Sequence, residues 1–268
     1  MRIITLLTDF GSGDPFVGIM KGVILGINPR VQIVDLCHGV SPQDVLEAAF
    51  LLHCSYRYFP PDTIHLVVVD PSVGGGRRPL LAEGVHGTFI APDNGALSYL
   101  FASGEIRRVV EITAEAYFLH PVSQTFHGRD IFAPVAAHLS RGGRLERFGR
   151  ATTTAARLTL PVVQEKGGGV VVGSVLHVDR FGNLITNISS DTMSALHPGK
   201  GIAVSIKGRT IRGLAKSYDR LKTQEIGAIV GSTGHLEIFR NRGSAARVLR
   251  AGRGATVRVQ AVHRARSR

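Results

Sequence analysis

Tryptophan is absent from this 268-residue chain, and only two cysteines, Cys37 and Cys54, are present. Two thiols allow one bridge at most, which excludes a disulfide-stapled scaffold. They are expected as small buried hydrophobes in a reducing compartment, the cytoplasm. Long apolar runs are missing too. The longest, such as Ile64 to Val69, have the length of a strand, far short of the ~18 residues that suggest a membrane helix. The opening Met1 to Leu7 breaks off at Asp9 without a small-residue cleavage site, so a first strand is expected there and not a secretory signal. Zinc-type Cys/His spacing, His-Glu-x-x-His and the Gly-x-Ser-x-Gly elbow do not occur. Neither does the dinucleotide-binding glycine fingerprint after the first strand.

Acid is scarce at one end. The formal charge is +12, and residues 239–268 carry nine arginines, from Arg240 to Arg268, with no Asp or Glu. A surface that tracks single-stranded nucleic acid usually interleaves aromatics on which bases stack, and this stretch has only Phe239. A solvated basic face that keeps the protein soluble is the simpler expectation, with nucleic-acid binding kept as an alternative of a different class.

What is present is a 44% hydrophobic composition in short, ordered blocks. The first half alternates strands with helices. Strands are expected at Arg2 to Leu7, Val31 to Leu36, Ile64 to Val69 and Thr88 to Ala91. Helices are expected over Pro15 to Ile27, with Asp14 as N-cap, and after Ser41-Pro42-Gln43-Asp44. This rhythm predicts an α/β domain over residues 1–160: a mostly parallel sheet with helices on both faces. Ligands of such sheets gather at the carboxyl ends of the strands, where Asp9, Asp70 and Asp93 fall. Beyond about residue 160 the pattern becomes strand-like, with Val170 to Val178, Gly201 to Ile206, Thr210 to Leu214, Ile226 to Val230, Leu236 to Phe239 and Thr256 to Val262. A smaller antiparallel β sandwich or barrel is expected over residues 161–268.

Four clusters carry chemistry. In Thr8-Asp9-Phe10-Gly11, a carboxylate just past the first strand can accept from a ribose diol, cap the next helix or bind a metal. In Asp70-Pro71-Ser72-Val73-Gly74-Gly75-Gly76-Arg77, three glycines let backbone approach a ligand. The loop lacks the Gly-Lys-Ser/Thr ending of a phosphate loop, and Asp70 and Arg77 can equally pair to clamp a turn. In Thr125-Phe126-His127-Gly128-Arg129-Asp130, His127 precedes a glycine and faces open space, while Arg129 and Asp130 are expected to pair near a helix start. In Asp179-Arg180-Phe181-Gly182-Asn183, the amide of Asn183 offers a donor and an acceptor suited to an adenine edge. The alternative is a plain turn.

In joint order and spacing these clusters resemble the S-adenosyl-L-methionine hydrolases, or hydroxide adenosyltransferases, relatives of the fluorinase and chlorinase enzymes. Pro92-Asp93-Asn94-Gly95, Thr186-Asn187 and Leu236-Glu237-Ile238 belong to the same likeness, which runs from Thr8 to about Ala245. The resemblance implies cleavage of the bond between ribose C5′ and the sulfonium sulfur, giving adenosine and L-methionine, with no cofactor. It implies a catalytic set of Asp70, Arg77 and His127. It implies that Asp9 binds ribose, Asp179 the methionine ammonium and Asn183 adenine, with Ser232 near the methionine carboxylate. Phe126 and Gly128, flanking the histidine, are expected in the substrate site. Thr233 stands where some halogenases carry an arginine. Asp70 stands where halogenases carry an aromatic, and Val73 where fluorinase has a halide-contacting hydroxyl. A carboxylate repels a desolvated halide but orients water, which favours the hydrolase over the halogenase alternative. The resemblance further implies a homotrimer whose sites lie between subunits.

Overall fold

A computed structural model describes residues 2–196 and 201–262; Arg264, Arg266 and Arg268 of the basic tail lie outside the described residues. The chain divides into two compact units, Met1–Leu160 and Pro161–Arg268. No helix among the described residues is long and apolar enough to cross a membrane.

The first unit is a seven-stranded sheet with helices on both faces. Its strands are β1 (Ile3–Thr8), β2 (Gln32–Cys37), β3 (Ile64–Val68), β4 (Pro79–Gly84), β5 (Thr88–Pro92), β6 (Ile106–Ile112) and β7 (Gly149–Thr152). They lie in the order β2-β1-β3-β5-β4-β6-β7. The helices are α1 (Phe16–Ile27), α2 (Val45–Ser55), α3 (Ser98–Ala102) and α4 (Ala133–Ser140). β3 is buried along its whole length, as an apolar run must be when both faces of a strand are covered. Its side chains alternate between two cores. Leu66 and Val68 join Ile4, Leu6 and Met20 of α1 on one face. Val67 joins Leu7 and Leu52 of α2 on the other.

β1 runs parallel to β2 and β3, and β3 parallel to β5. Beyond β5 the sheet differs from the mostly parallel expectation: β4, β6 and β7 all pair antiparallel. β4 returns to β5 through the short connection Val85–Gly87, and an apolar stretch such as Leu80-Leu81-Ala82 does not encode its direction. A second difference is at α1, where Pro15 and not Asp14 holds the N-cap position and Ile19 N–H donates to the Pro15 carbonyl at 2.9 Å. α2 starts as its residues dictate: Asp44 accepts from Glu47 N–H at 2.9 Å, and Glu47 in turn accepts from Ser41 N–H at 2.8 Å.

The second unit is an antiparallel eight-stranded sheet around one core. It contains β8 (Gln164–Glu165), β9 (Val170–Val178), β10 (Leu184–Ser189), β11 (Gly201–Ile206), β12 (Arg209–Arg212), β13 (Ile226–Val230), β14 (His235–Arg240) and β15 (Thr256–Val262). Two short helices accompany it, α5 (Ser190–Leu196) and α6 (Ala245–Leu249). β8 and β10 are the strands not anticipated from the pattern; β8 pairs with β9, and β10 joins β9 to β14.

Candidate active site

Register places the first unit's site. Thr8 pairs with Val68, so the chain leaves β1 and β3 side by side at their carboxyl ends, and Asp9 and Asp70 both reach one cavity of about 410 Å³. Pockets for small molecules commonly measure about 300–1,000 Å³. Asp9 Oδ2 accepts from Gln43 N–H at 2.8 Å. The turn that carries Asp9 is pinned by His38, whose Nδ1 bonds the Thr8 hydroxyl at 2.9 Å and whose carbonyl accepts from Gly11 N–H at 2.7 Å.

The loop after β3 folds back so that Arg77 clasps Asp70. Arg77 Nε donates to Oδ1 at 3.0 Å, and Nη2 donates to Oδ2. The same Nη2 lies 2.7 Å from His127 Nδ1. A guanidinium only donates, so His127 Nδ1 accepts and the neutral imidazole carries its proton on Nε2. The pair is deeply placed, with Arg77 and Asp70 side chains 6% and 5% exposed. Asp70 and His127 line the cavity, whereas Arg77 stands behind them, 5.4 Å above the Phe132 ring. Burial, reinforced by the Arg77 charge, holds the His127 pKa below its ordinary 6.5; the Asp70 and Asp130 charges and a bond with the Ser123 backbone oppose this.

Gly74 makes the convergence possible. It has φ +76°, and a Cβ there would collide with the Gln124 carbonyl, so the loop bearing Asp70 and Arg77 closes directly on the segment that leads to His127. That segment is anchored by fully buried Asp130, which accepts from Ser123 N–H at 2.8 Å and from both Nε and Nη2 of Arg129. His127 opens a π-helical turn, Gly128–Phe132, running into α4; such turns recur at functional sites. Phe126 meets Phe10 and Phe16 at ring separations of 5.3 to 5.8 Å, and all three rings line the cavity beside Gly128.

Asp93, although at a strand end, is not in this cavity. It accepts from Arg78 Nε at 2.9 Å and Nη2 at 2.6 Å, and from Ala156 N–H at 2.7 Å. It is a bracket for the segment that follows β7.

The second unit has its own cavity, about 650 Å³, lined by Asp179, Asn183, Ser232 and also Tyr218 and Glu237. Asp179 Oδ1 accepts from Phe181 N–H and Asn183 N–H at 2.9 and 2.8 Å, while Oδ2 accepts from the Asn183 side chain at 2.9 Å. One Asn183 N–H is therefore spent on Asp179. Its carbonyl oxygen and second N–H remain for a partner. Gly182, at φ +83°, presses this turn onto Ser244 so tightly that a Cβ would clash. Among the described residues, no group of three or more His, Cys, Asp or Glu side chains is placed to hold a metal ion.

Comparison with known proteins matches both units. The SAM hydroxide adenosyltransferase N-terminal domain matches residues 4–149, and its C-terminal domain matches residues 173–258. The chain belongs to the SAM hydroxide adenosyltransferase family. It is similar to the (R)-S-adenosyl-L-methionine hydrolase of Thermus thermophilus, with 35% identity over 97% of this chain and 100% of that one. The protein of the same name from Salinispora tropica shares 35% identity over 96% and 97%. Fluorinase from Nocardia brasiliensis stands further off, at 28% identity over 96% of each. A solved structure of an uncharacterized conserved protein from Thermotoga maritima superposes with a TM-score of 0.90, at 37% identity, over 96% of this chain and 99% of that one.

In or beside the cavity of the first unit stand residues that carry no motif. Gln43 signalled nothing, because it contributes a backbone N–H. His38 gave no signal either, since its contact with Thr8 spans 30 residues. Glu237 was named in the Leu236-Glu237-Ile238 motif, without a role assigned to it.

Proposed function

We propose that this chain hydrolyses S-adenosyl-L-methionine to adenosine and L-methionine, without a metal or organic cofactor. The observation that carries the reading is the Asp70–Arg77–His127 cluster on the wall of a cavity that also presents Asp9. The near-full-length likeness to proteins named for this reaction supports it.

In the proposed reaction a water oxygen attacks ribose C5′ in line with the C5′–S bond. That bond breaks, its electron pair stays on sulfur to give the neutral thioether of methionine, and one water proton is released. A sulfonium needs no protonation to leave, so the enzyme's work is to place and activate the water. Holding reactants in line is worth about 7–11 kcal/mol. Neutral His127 has Nδ1 occupied by Arg77, and the N–H it keeps, which the Ser123 backbone also engages, is what it offers the water as a donor. Asp70 keeps lone pairs beyond those given to Arg77 and is the proton acceptor. Arg77 fixes the geometry of both. Asp9 takes the ribose diol, and the Phe10, Phe16 and Phe126 rings supply an apolar wall beside the charge that is being consumed.

Incubation of the protein with S-adenosyl-L-methionine should yield adenosine and methionine in equal amounts by chromatography. Asp70→Ala and His127→Ala should each lower turnover by about 10²-fold or more, within the range for acid–base groups. Turnover no greater than buffer, or undiminished in both variants, overturns the reading. Halide-dependent 5′-halo-5′-deoxyadenosine would transfer it to the halogenase branch.

We further propose that the enzyme is a cytoplasmic homotrimer, its sites completed between subunits. In support, the ribose-facing groups Asp9 and Asp70 and the adenine- and methionine-facing groups Asn183 and Asp179 stand on different units. Cys37 and Cys54 are both free thiols. Sedimentation should report three copies, and an active monomer would overturn this.

A further inference from the structure

The turn that carries Asp9 is backed by side chains that do not line the first unit's cavity. In a regular strand, residues three apart such as Asp35 and His38 point to opposite faces. β2 carries one extra residue against β1, because Leu6 pairs with Asp35 but Leu7 with Cys37. Leu36 and Cys37 consequently both pack into the core on the α2 side, and Asp35 and His38 share the α1 side. Such bulges re-aim side chains, often beside active sites. There Lys21 of α1 donates to Asp35 Oδ2 at 2.6 Å. His38 Nε2 stands 3.0 Å from Asp35 Oδ1, an electrostatic contact and not a directed hydrogen bond. Its Nδ1 meets the hydroxyl of fully buried Thr8 at 2.9 Å.

The contacts of His38 close around Asp9. Thr8 Oγ1 accepts from Phe10 N–H at 3.3 Å, so its own proton is available to Nδ1. The neutral ring then carries its hydrogen on Nε2, facing Asp35. The His38 carbonyl accepts from Gly11 N–H at 2.7 Å. Thr8, Phe10 and Gly11 are thus held through one residue, with Asp9 between them. Burial raises the Asp35 pKa, but contacts with Lys21 and His38 outweigh it and hold this carboxyl below its ordinary 3.8. Asp35 is therefore ionised at neutral pH, and a fixed carboxylate on one ring nitrogen settles what the other nitrogen does.

We propose that His38, seated on Asp35 and Lys21, is a positioning residue for the ribose subsite. Through Thr8 it sets the tilt of the turn at which the Asp9 carboxylate takes two vicinal hydroxyls at once; this rests on reading Asp9 as the ribose contact. A carboxylate that receives two hydroxyls needs its plane held to about 0.5 Å, whereas a ligand without them is indifferent to that plane. His38 therefore governs the preference of the site for a vicinal diol.

The test compares wild type with His38→Leu, His38→Asn and Thr8→Val as full-length proteins. Each is titrated by calorimetry with adenosine and with 2′,3′-dideoxyadenosine, and each is assayed with S-adenosyl-L-methionine. His38→Leu should weaken adenosine binding about tenfold, the scale of a hydrogen bond to a charged group, and leave the dideoxy ligand within about twofold. KM for S-adenosyl-L-methionine should rise by a similar factor with kcat held within about threefold, the signature of lost binding and not of lost chemistry. His38→Asn puts an amide oxygen where Nδ1 stood and should restore most of the diol preference. Thr8→Val removes the same bond without touching the histidine, and it answers the question if the His38 variants do not fold. Equal losses for both ligands, or an unchanged preference in a folded His38→Leu protein, would make His38 structural and overturn the proposal. A wild type that binds both ligands alike would overturn the reading of Asp9 as the ribose contact, and the proposal with it. A diol preference that His38→Leu abolishes, in a protein without turnover, would uphold the proposal and overturn the hydrolase reading alone.

Discussion

Replacing Arg77 with methionine is expected to lower kcat by about 10²–10⁴-fold, the span associated with losing acid–base function, although Arg77 does not line the cavity. Its guanidinium ties together the two groups that do. Without it, Asp70 keeps a nearly buried negative charge with no counter-ion, and His127 Nδ1 loses the donor that fixes its tautomer. Arg77→Lys should recover little, because one ammonium cannot reproduce a planar fork that serves Asp70 through two nitrogens and His127 through one of them. The same methionine variant should lose about 3–5 kcal/mol of stability in urea unfolding, the cost of breaking a buried pair on one side.

Stability and activity can be separated by removing both charges. The double variant Asp70→Leu/Arg77→Met leaves no buried ion uncompensated, so it should regain most of the lost stability while staying inactive. An Arg77→Met enzyme that retains more than a tenth of wild-type kcat, in a folded state, would show that the guanidinium is a turn clamp and nothing more.

How far the sequence could be read depended on whether a feature is local. β1 and β3 were legible because an apolar run of that length has few other uses, and the start of α2 because its capping residues sit three apart. The strands β4, β6 and β7 were not expected, and their antiparallel course is set by connections and not by side-chain pattern. At the site, Asp70 and Arg77 share one loop and were readable as a pair. Their junction with His127 spans 50 residues and is created by Gly74 resting on Gln124, a contact between backbones that leaves no motif. Asp93 misled for the complementary reason. Its position at a strand end looked like that of Asp9 and Asp70, and only the three-dimensional placement of Arg78 reveals that its carboxylate is already taken. In the second unit Asp179 takes three hydrogen bonds from its own turn, which the sequence spacing does not show.

The titration of His127 offers the second large effect. Because its pKa in the folded protein lies below 6.5, the imidazole is neutral at neutral pH and accepts from Arg77. Protonation puts a second cation against that guanidinium and abolishes the bond. The acid limb of kcat/KM, which reports the free enzyme, should therefore have its midpoint below 6.5, with activity falling as pH drops through it. Stability follows the same sign. The unfolded chain takes up this proton first, so the group contributes no penalty above about pH 6.5, costs progressively more as pH falls toward the folded pKa, and levels off beneath it. Ring nitrogen resonances of His127 observed by NMR give the midpoint directly, even in inactive variants. Arg77→Met should move it up by removing the lowering charge, and Asp70→Asn should move it down by removing a raising one. The resonances should also place the neutral ring's proton on Nε2. A proton found on Nδ1, or a midpoint above 6.5, would mean that Arg77 does not donate to this histidine in solution. His127 would then be free to act as the base, and the division of labour with Asp70 would have to be reversed.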